Sequence, residues 1–150
     1  MTLKVDAAEV IIDLLQRGHA VEFRAHGDSM HPVIREHDSL HVEPTQQCNV
    51  GDVILARAER GLTAHRVLAI RGDVIITRGD NTPAPDPPLP RTRILGKVTW
   101  VERDGKRRGV GREFFALRAV RKIRLVLSRR KSGAAGFSTS KHIPRHPERL

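Results

Sequence analysis

Aromatic side chains are scarce in this 150-residue chain: they make up 3% of it, with one Trp and no Tyr. A core of ordinary size must then be built from Val, Ile and Leu, a composition that favours strands. Folding a chain of this length buries roughly two-thirds of its unfolded surface, so one domain with one core is feasible. There is a single cysteine, Cys48, which rules out an internal disulfide and, standing alone, argues against a thiolate metal site. No uninterrupted apolar run reaches the 18 residues a spanning helix requires. The opening Met1-Thr2-Leu3-Lys4-Val5-Asp6 lacks the cationic and apolar regions of an export signal. A cytoplasmic protein is expected, at most peripheral to the inner face of the membrane.

Charge is abundant but unevenly placed. Residues 1–102 carry 12 Lys or Arg against 14 Asp or Glu, whereas residues 103–150 carry 15 against 3. The net charge of +10 therefore belongs to the last third, where an acidic surface would be met.

Local patterning divides the chain. Asp6 and Glu9 have capping-box spacing, Val10, Ile11, Leu14 and Leu15 follow on one face, and Gly18 stops the run, which predicts a helix over about 7–17. Short β-like runs then occupy 21–25, 39–43, 52–58, 62–71, 73–77 and 94–102, punctuated by Gly-Asp pairs at 27, 51, 72 and 79. This pattern predicts a mainly β fold, an antiparallel sheet curled into a barrel-like or sandwich form. Five prolines within 82–90 predict an extended loop, and Asp104-Gly105 a hairpin turn or the end of the domain. Over 112–130, Phe115, Ala116, Ala119, Val120, Ile123, Val126 and Leu127 form one apolar stripe with Arg118, Arg121, Lys122, Arg124 and Arg129 outside it. The expected organisation is a β domain at 1–104, a basic amphipathic helix at 105–131 and a disordered basic tail at 132–150.

Three pieces could carry chemistry. Ser29 sits in Gly27-Asp28-Ser29-Met30-His31-Pro32, where a sharp turn can expose a hydroxyl together with backbone amides. His65 lies inside the apolar run Leu62-Thr63-Ala64-His65-Arg66-Val67, where an imidazole needs a bonded partner. Gly79-Asp80-Asn81 and the later Asp86 offer carboxylates to orient that imidazole. Taken singly each has an ordinary reading, as a turn serine, a satisfied strand histidine and turn or solvated carboxylates. The other histidines, His26 and His31 beside Ser29 and His37 and His41 beyond it, show no compact metal-ligand spacing, and neither metal nor cofactor is expected.

Taken in order, the Ser29 box, Gly51-Asp52-Val53-Ile54, Ala64-His65-Arg66-Val67, Ile76 to Asn81 and Asp86 resemble the successive boxes of type I signal peptidases. They are closer to the archaeal and endoplasmic-reticulum branch, which uses Ser and His where the bacterial branch uses Ser and Lys. The resemblance covers about 21–101. It implies the coiled β fold shared with the self-cleaving SOS-repressor proteases, Ser29 as nucleophile and His65 as general base. Asp80 and Asp86 match the family's two acidic positions, and Asp80 is expected to support His65 more than Asp86 does. Asp28, Met30 and Pro32 would supply the substrate-binding and oxyanion environment, with the Ser29 amide as one donor.

Two departures stand out: no membrane anchor precedes the serine box, and Gly27 stands where bacterial members often carry a hydroxyl. The implied activity is a serine endopeptidase acting on peptides or proteins after small residues. Self-cleavage at Gly133-Ala134-Ala135-Gly136 is a variant of it. An anionic membrane surface is a partner expected through residues 112–130, and the alternative is a non-catalytic module of the same fold, its basic tail binding acidic lipid or nucleic acid. Sequence-specific DNA binding is disfavoured, because no helix-turn-helix precedes the β region and a repressor-like protease would place Lys at position 65.

Overall fold

The computed structural model describes residues 6–59 and 61–111. The expected amphipathic helix at 112–130, the tail at 132–150 and the Gly133-to-Gly136 cleavage segment lie outside the described residues.

Helix α1 spans Ala7–Gln16. Asp6 Oδ1 caps it by accepting from the Ala8 amide at 3.1 Å, satisfying one of the first-turn donors. Glu9 does not close the box; its carboxylate accepts from Arg57 Nη2 at 3.0 and 3.2 Å. At the other end Gly18, at φ +85°, donates to Leu15 O while His19 donates to Leu14 O, the paired bonds of a Schellman stop. Ile12 and Leu15 are buried. No helix among the described residues is long and apolar enough to cross a membrane.

Eight strands follow among the described residues: β1 Val21–Arg24, β2 Ser39–Pro44, β3 Val53–Ala58, β4 Gly61–Arg71, β5 Val74–Arg78, β6 Leu89–Pro90, β7 Ile94–Arg103 and β8 Lys106–Gly109, with a 3-10 turn at Arg91–Arg93. They form one antiparallel sheet in the order β1-β2-β7-β3-β4-β5-β6, and β8 pairs with β7. The fold is mainly β, as expected. Register shifts at His41/Val42, Leu55/Ala56 and Val67/Ala69 add twist and let the sheet coil. The apolar run opening β3 does not alternate because both faces are covered. Val53 and Leu55 join Leu15, Val21, Leu40, Val98 and Val101 on one side, while Ile54 joins Val67, Ile75 and Ile94 on the other.

Two expectations need correction. Of the two expectations for Asp104-Gly105 the hairpin turn holds and the end of the domain does not: both residues, at positive φ, join β7 to β8, and Val110 beyond them is fully buried. Nor is the proline segment wholly a loop, because Leu89 and Pro90 pair with Ile75 and Val74 at the sheet's end, where an absent amide costs no ladder bond.

Candidate active site

Ser29 stands in the long connection between β1 and β2. That connection is closed at its neck by two backbone bonds, Ala25 N to Asp38 O at 2.8 Å and His37 N to Ala25 O at 2.9 Å. Gly27, at φ +87°, supplies the left-handed step that a residue with a Cβ rarely takes. The turn after β5 then presses on the serine from the other side. Asn81 N donates to Ser29 O at 2.8 Å and Asn81 Nδ2 to Asp28 O at 3.2 Å. A Cβ on Gly79 would lie 2.5 Å from Ser29 O, so only glycine allows this approach.

The strand β4 carries His65 to the same place. Its Nε2 lies 2.9 Å from Ser29 Oγ and its Nδ1 lies 2.6 Å from Asp86 Oδ2. Proton placement follows from the partners: a carboxylate only accepts, so Nδ1–H donates to Asp86 and Nε2 is left to accept from the serine hydroxyl. Asp86 is itself positioned by Thr77, whose Oγ1 donates to Asp86 Oδ2 at 2.7 Å and whose carbonyl accepts from the Asp86 amide at 2.8 Å. His65 is buried and Thr77 more so. The expected strand histidine is thus bonded at both ring nitrogens, to a hydroxyl and a carboxylate.

Asp80 is elsewhere, which corrects its expected support of His65. Its carboxylate takes two bonds from Arg66, Nε to Oδ1 at 2.8 Å and Nη2 to Oδ2 at 2.7 Å. Adjacent residues in a strand point to opposite faces, so His65 and Arg66 divide the two carboxylates between them. The three flanking positions divide as well. Met30 is buried, lines the cavity beside Ser29, and accepts from the Asp80 amide through Sδ at 3.4 Å. Pro32 and Asp28 line neither cavity at the site, contrary to expectation; Asp28 contributes its backbone carbonyl, which accepts from His31 and Asn81. Thr77 and Arg66 were not singled out from sequence; the only available signal was their place inside the quoted boxes.

Two cavities meet at Thr63 and His65. One, of about 400 Å³, holds Ser29 and is walled by Phe23, Leu40, Leu55, Leu62 and Ala64. The other, of about 340 Å³, lies on the Asp86 side against Ile54, Ala56, Leu89 and the prolines at 87 and 88, with Arg57 and Arg93 among its lining. The Ser29 amide donates to no acceptor among the described residues. Serine, imidazole, carboxylate and a free amide in an apolar cleft can together run acyl transfer through a tetrahedral oxyanion.

The family model for Peptidase S24-like proteins matches residues 4–99 of the chain. No curated protein and no solved structure is found to match it.

Proposed function

Because the chain belongs to the Peptidase S24-like family, we propose that it is a serine endopeptidase with Ser29 as nucleophile, His65 as general base and Asp86 as the residue that orients the imidazole. The observation carrying this reading is the continuous line from Ser29 Oγ through both ring nitrogens of His65 to Asp86 Oδ2, at 2.9 and 2.6 Å.

As Ser29 Oγ attacks a scissile carbonyl carbon, its proton passes to His65 Nε2. The resulting imidazolium is stabilised by Asp86, already bonded at Nδ1. The Ser29 amide donates to the developing oxyanion. His65 then returns the proton to the leaving amine, and a water molecule, deprotonated by the same imidazole, hydrolyses the acyl-enzyme. A Ser–His pairing supports the archaeal and endoplasmic-reticulum type of signal peptidase over a lysine-dependent repressor type. The substrates we assign are peptide bonds following small residues, in an extended segment laid along the cleft.

The test is incubation of full-length protein and its Ser29→Ala variant with a library of small-residue peptides, read by mass spectrometry, alongside labelling by a serine-reactive phosphonate. Label confined to Ser29 and cleavage lost in the variant are the expected results. Wild-type protein that takes no label and cuts nothing would instead identify a non-catalytic module of this fold.

A further inference from the structure

At the neck of the Ser29-bearing connection, three side chains converge that are ten and eleven residues apart in sequence. His26 leaves the end of β1, and Glu36 and His37 come from the return of the same connection just before β2. The two neck bonds, Ala25 N to Asp38 O and His37 N to Ala25 O, bring the ends together. One ligating atom from each of His26, Glu36 and His37 lies within 4.8 Å of the others. The rings of His26 and His37 stand edge to face with centroids 6.1 Å apart.

Nothing else among the described residues claims these groups. Neither imidazole side chain is hydrogen-bonded, and Glu36 has no ion-pair partner. Their framework, in contrast, is tied down. His37 is held at φ +68°, a left-handed conformation in which His is among the more tolerant residues. The next residue, Asp38, is 3% exposed and locked by Arg103 at 2.6 and 2.7 Å and by the Arg35 amide at 2.8 Å. The backbone is therefore built and the side chains are free to turn.

We propose that His26, Glu36 and His37 form a binding site for a divalent transition metal of the zinc class. Two imidazoles and one carboxylate are a donor set suited to such an ion, with water filling the fourth position at an exposed site. Contraction from the present separations needs only side-chain rotation, because the three residues are exposed and leave room for it. His26 also lines the cavity that contains Ser29, so the ion cross-links the neck of the connection at the rim of that cavity. Binding does not depend on peptidase activity and stands or falls separately from it.

The test is isothermal titration of full-length, chelator-treated protein with zinc chloride, for the wild type and for a His26→Asn, His37→Asn double variant. Amide hydrogen exchange is followed over residues 25–38 in both, and a His142→Asn, His146→Asn variant controls for the tail. We expect one zinc equivalent to be lost in the His26/His37 double variant and retained in the tail variant. Zinc should slow exchange in the connection by at least severalfold in the wild type alone. Wild-type protein that takes up no zinc, or a folded double variant that binds it as tightly as wild type, would overturn the proposal. Exchange over 25–38 that is indifferent to bound zinc would overturn it too.

Discussion

Arg66 grips Asp80 through two parallel hydrogen bonds of 2.8 and 2.7 Å, one residue along β4 from His65. The guanidinium is 2% exposed and also donates through Nη1 to Gly51 O and Val110 O, so a single buried cation ties β4 to the turn after β5 and to the chain beyond β8. Removing the anion takes the bidentate carboxylate from a desolvated charge. Asp80→Ala is expected to cost about 3 to 5 kcal/mol in denaturant unfolding, while the protein that remains folded keeps turnover much closer to wild type than an Asp86 variant does.

In the mechanism we propose, Asp86 acts on the chemistry instead. Asp86→Asn retains the shape but replaces the carboxylate that fixes the Nδ1–H tautomer of His65. Turnover should fall on the order of a thousandfold or more, with KM and the unfolding midpoint little changed. Thr77→Val removes only the hydroxyl that aims Asp86 and should produce a smaller loss in the same parameter. Steady-state kinetics on a cleavable small-residue peptide distinguishes the two, and equal, negligible effects would leave a bare Ser29–His65 dyad.

Gly79→Ala tests the buttress behind Ser29. The added methyl would meet Ser29 O at 2.5 Å and Thr82 Cγ2 at 2.9 Å, so either the serine backbone or the turn must move. A stability loss of about 1 to 3 kcal/mol is expected from such crowding. A drop in turnover should persist at temperatures where the variant is fully folded.

Acid should weaken the protein partly through Asp38. Burial would raise this carboxyl's pKa, but the hydrogen bonds from Arg103 and the Arg35 amide, with the charges of both arginines, outweigh it and hold the value below the ordinary 3.8. A depressed folded-state pKa means that the contribution is complete above the unfolded carboxyl's titration near pH 4 and is lost as pH falls through the lower folded value. The stability gap between wild type and Asp38→Asn should accordingly be widest above about pH 4 and narrow below it, as urea unfolding at stepped pH will show.

Where the chain is cut should matter. Truncation after Asp104 removes β8 and buried Val110, whose carbonyl accepts from Arg66, and is expected to destabilise the sheet severely. Truncation after Gly111 spares these contacts and should leave a folded protein that still takes the phosphonate label. We propose that residues 112–130 bind anionic lipid, at about 1 kcal/mol per cationic side chain near the surface. On that basis, only the full-length chain should sediment with anionic liposomes at low salt.

What the sequence determined by itself is what neighbouring residues settle among themselves. The Asp6 cap and Gly18 stop bound the first helix, and the Gly-Asp pairs separate β runs whose limits fall within a residue or so of β1 to β5 and β7. The roles we propose for Ser29 and His65 were suggested only by the order of whole boxes, since each residue alone has an ordinary reading. Which carboxylate reaches the imidazole was decided by the tertiary structure. Asp80 and Asp86 share one connection, and only the opposite facing of His65 and Arg66 on β4, with Thr77 drawing Asp86 back toward β5, sends one to the imidazole and the other to the arginine. The His26–Glu36–His37 cluster was hidden for the same reason: a side chain's partners are set by where the backbone folds back, and that depends on contacts far away in sequence, here the grip of Arg103 on Asp38 across 65 residues.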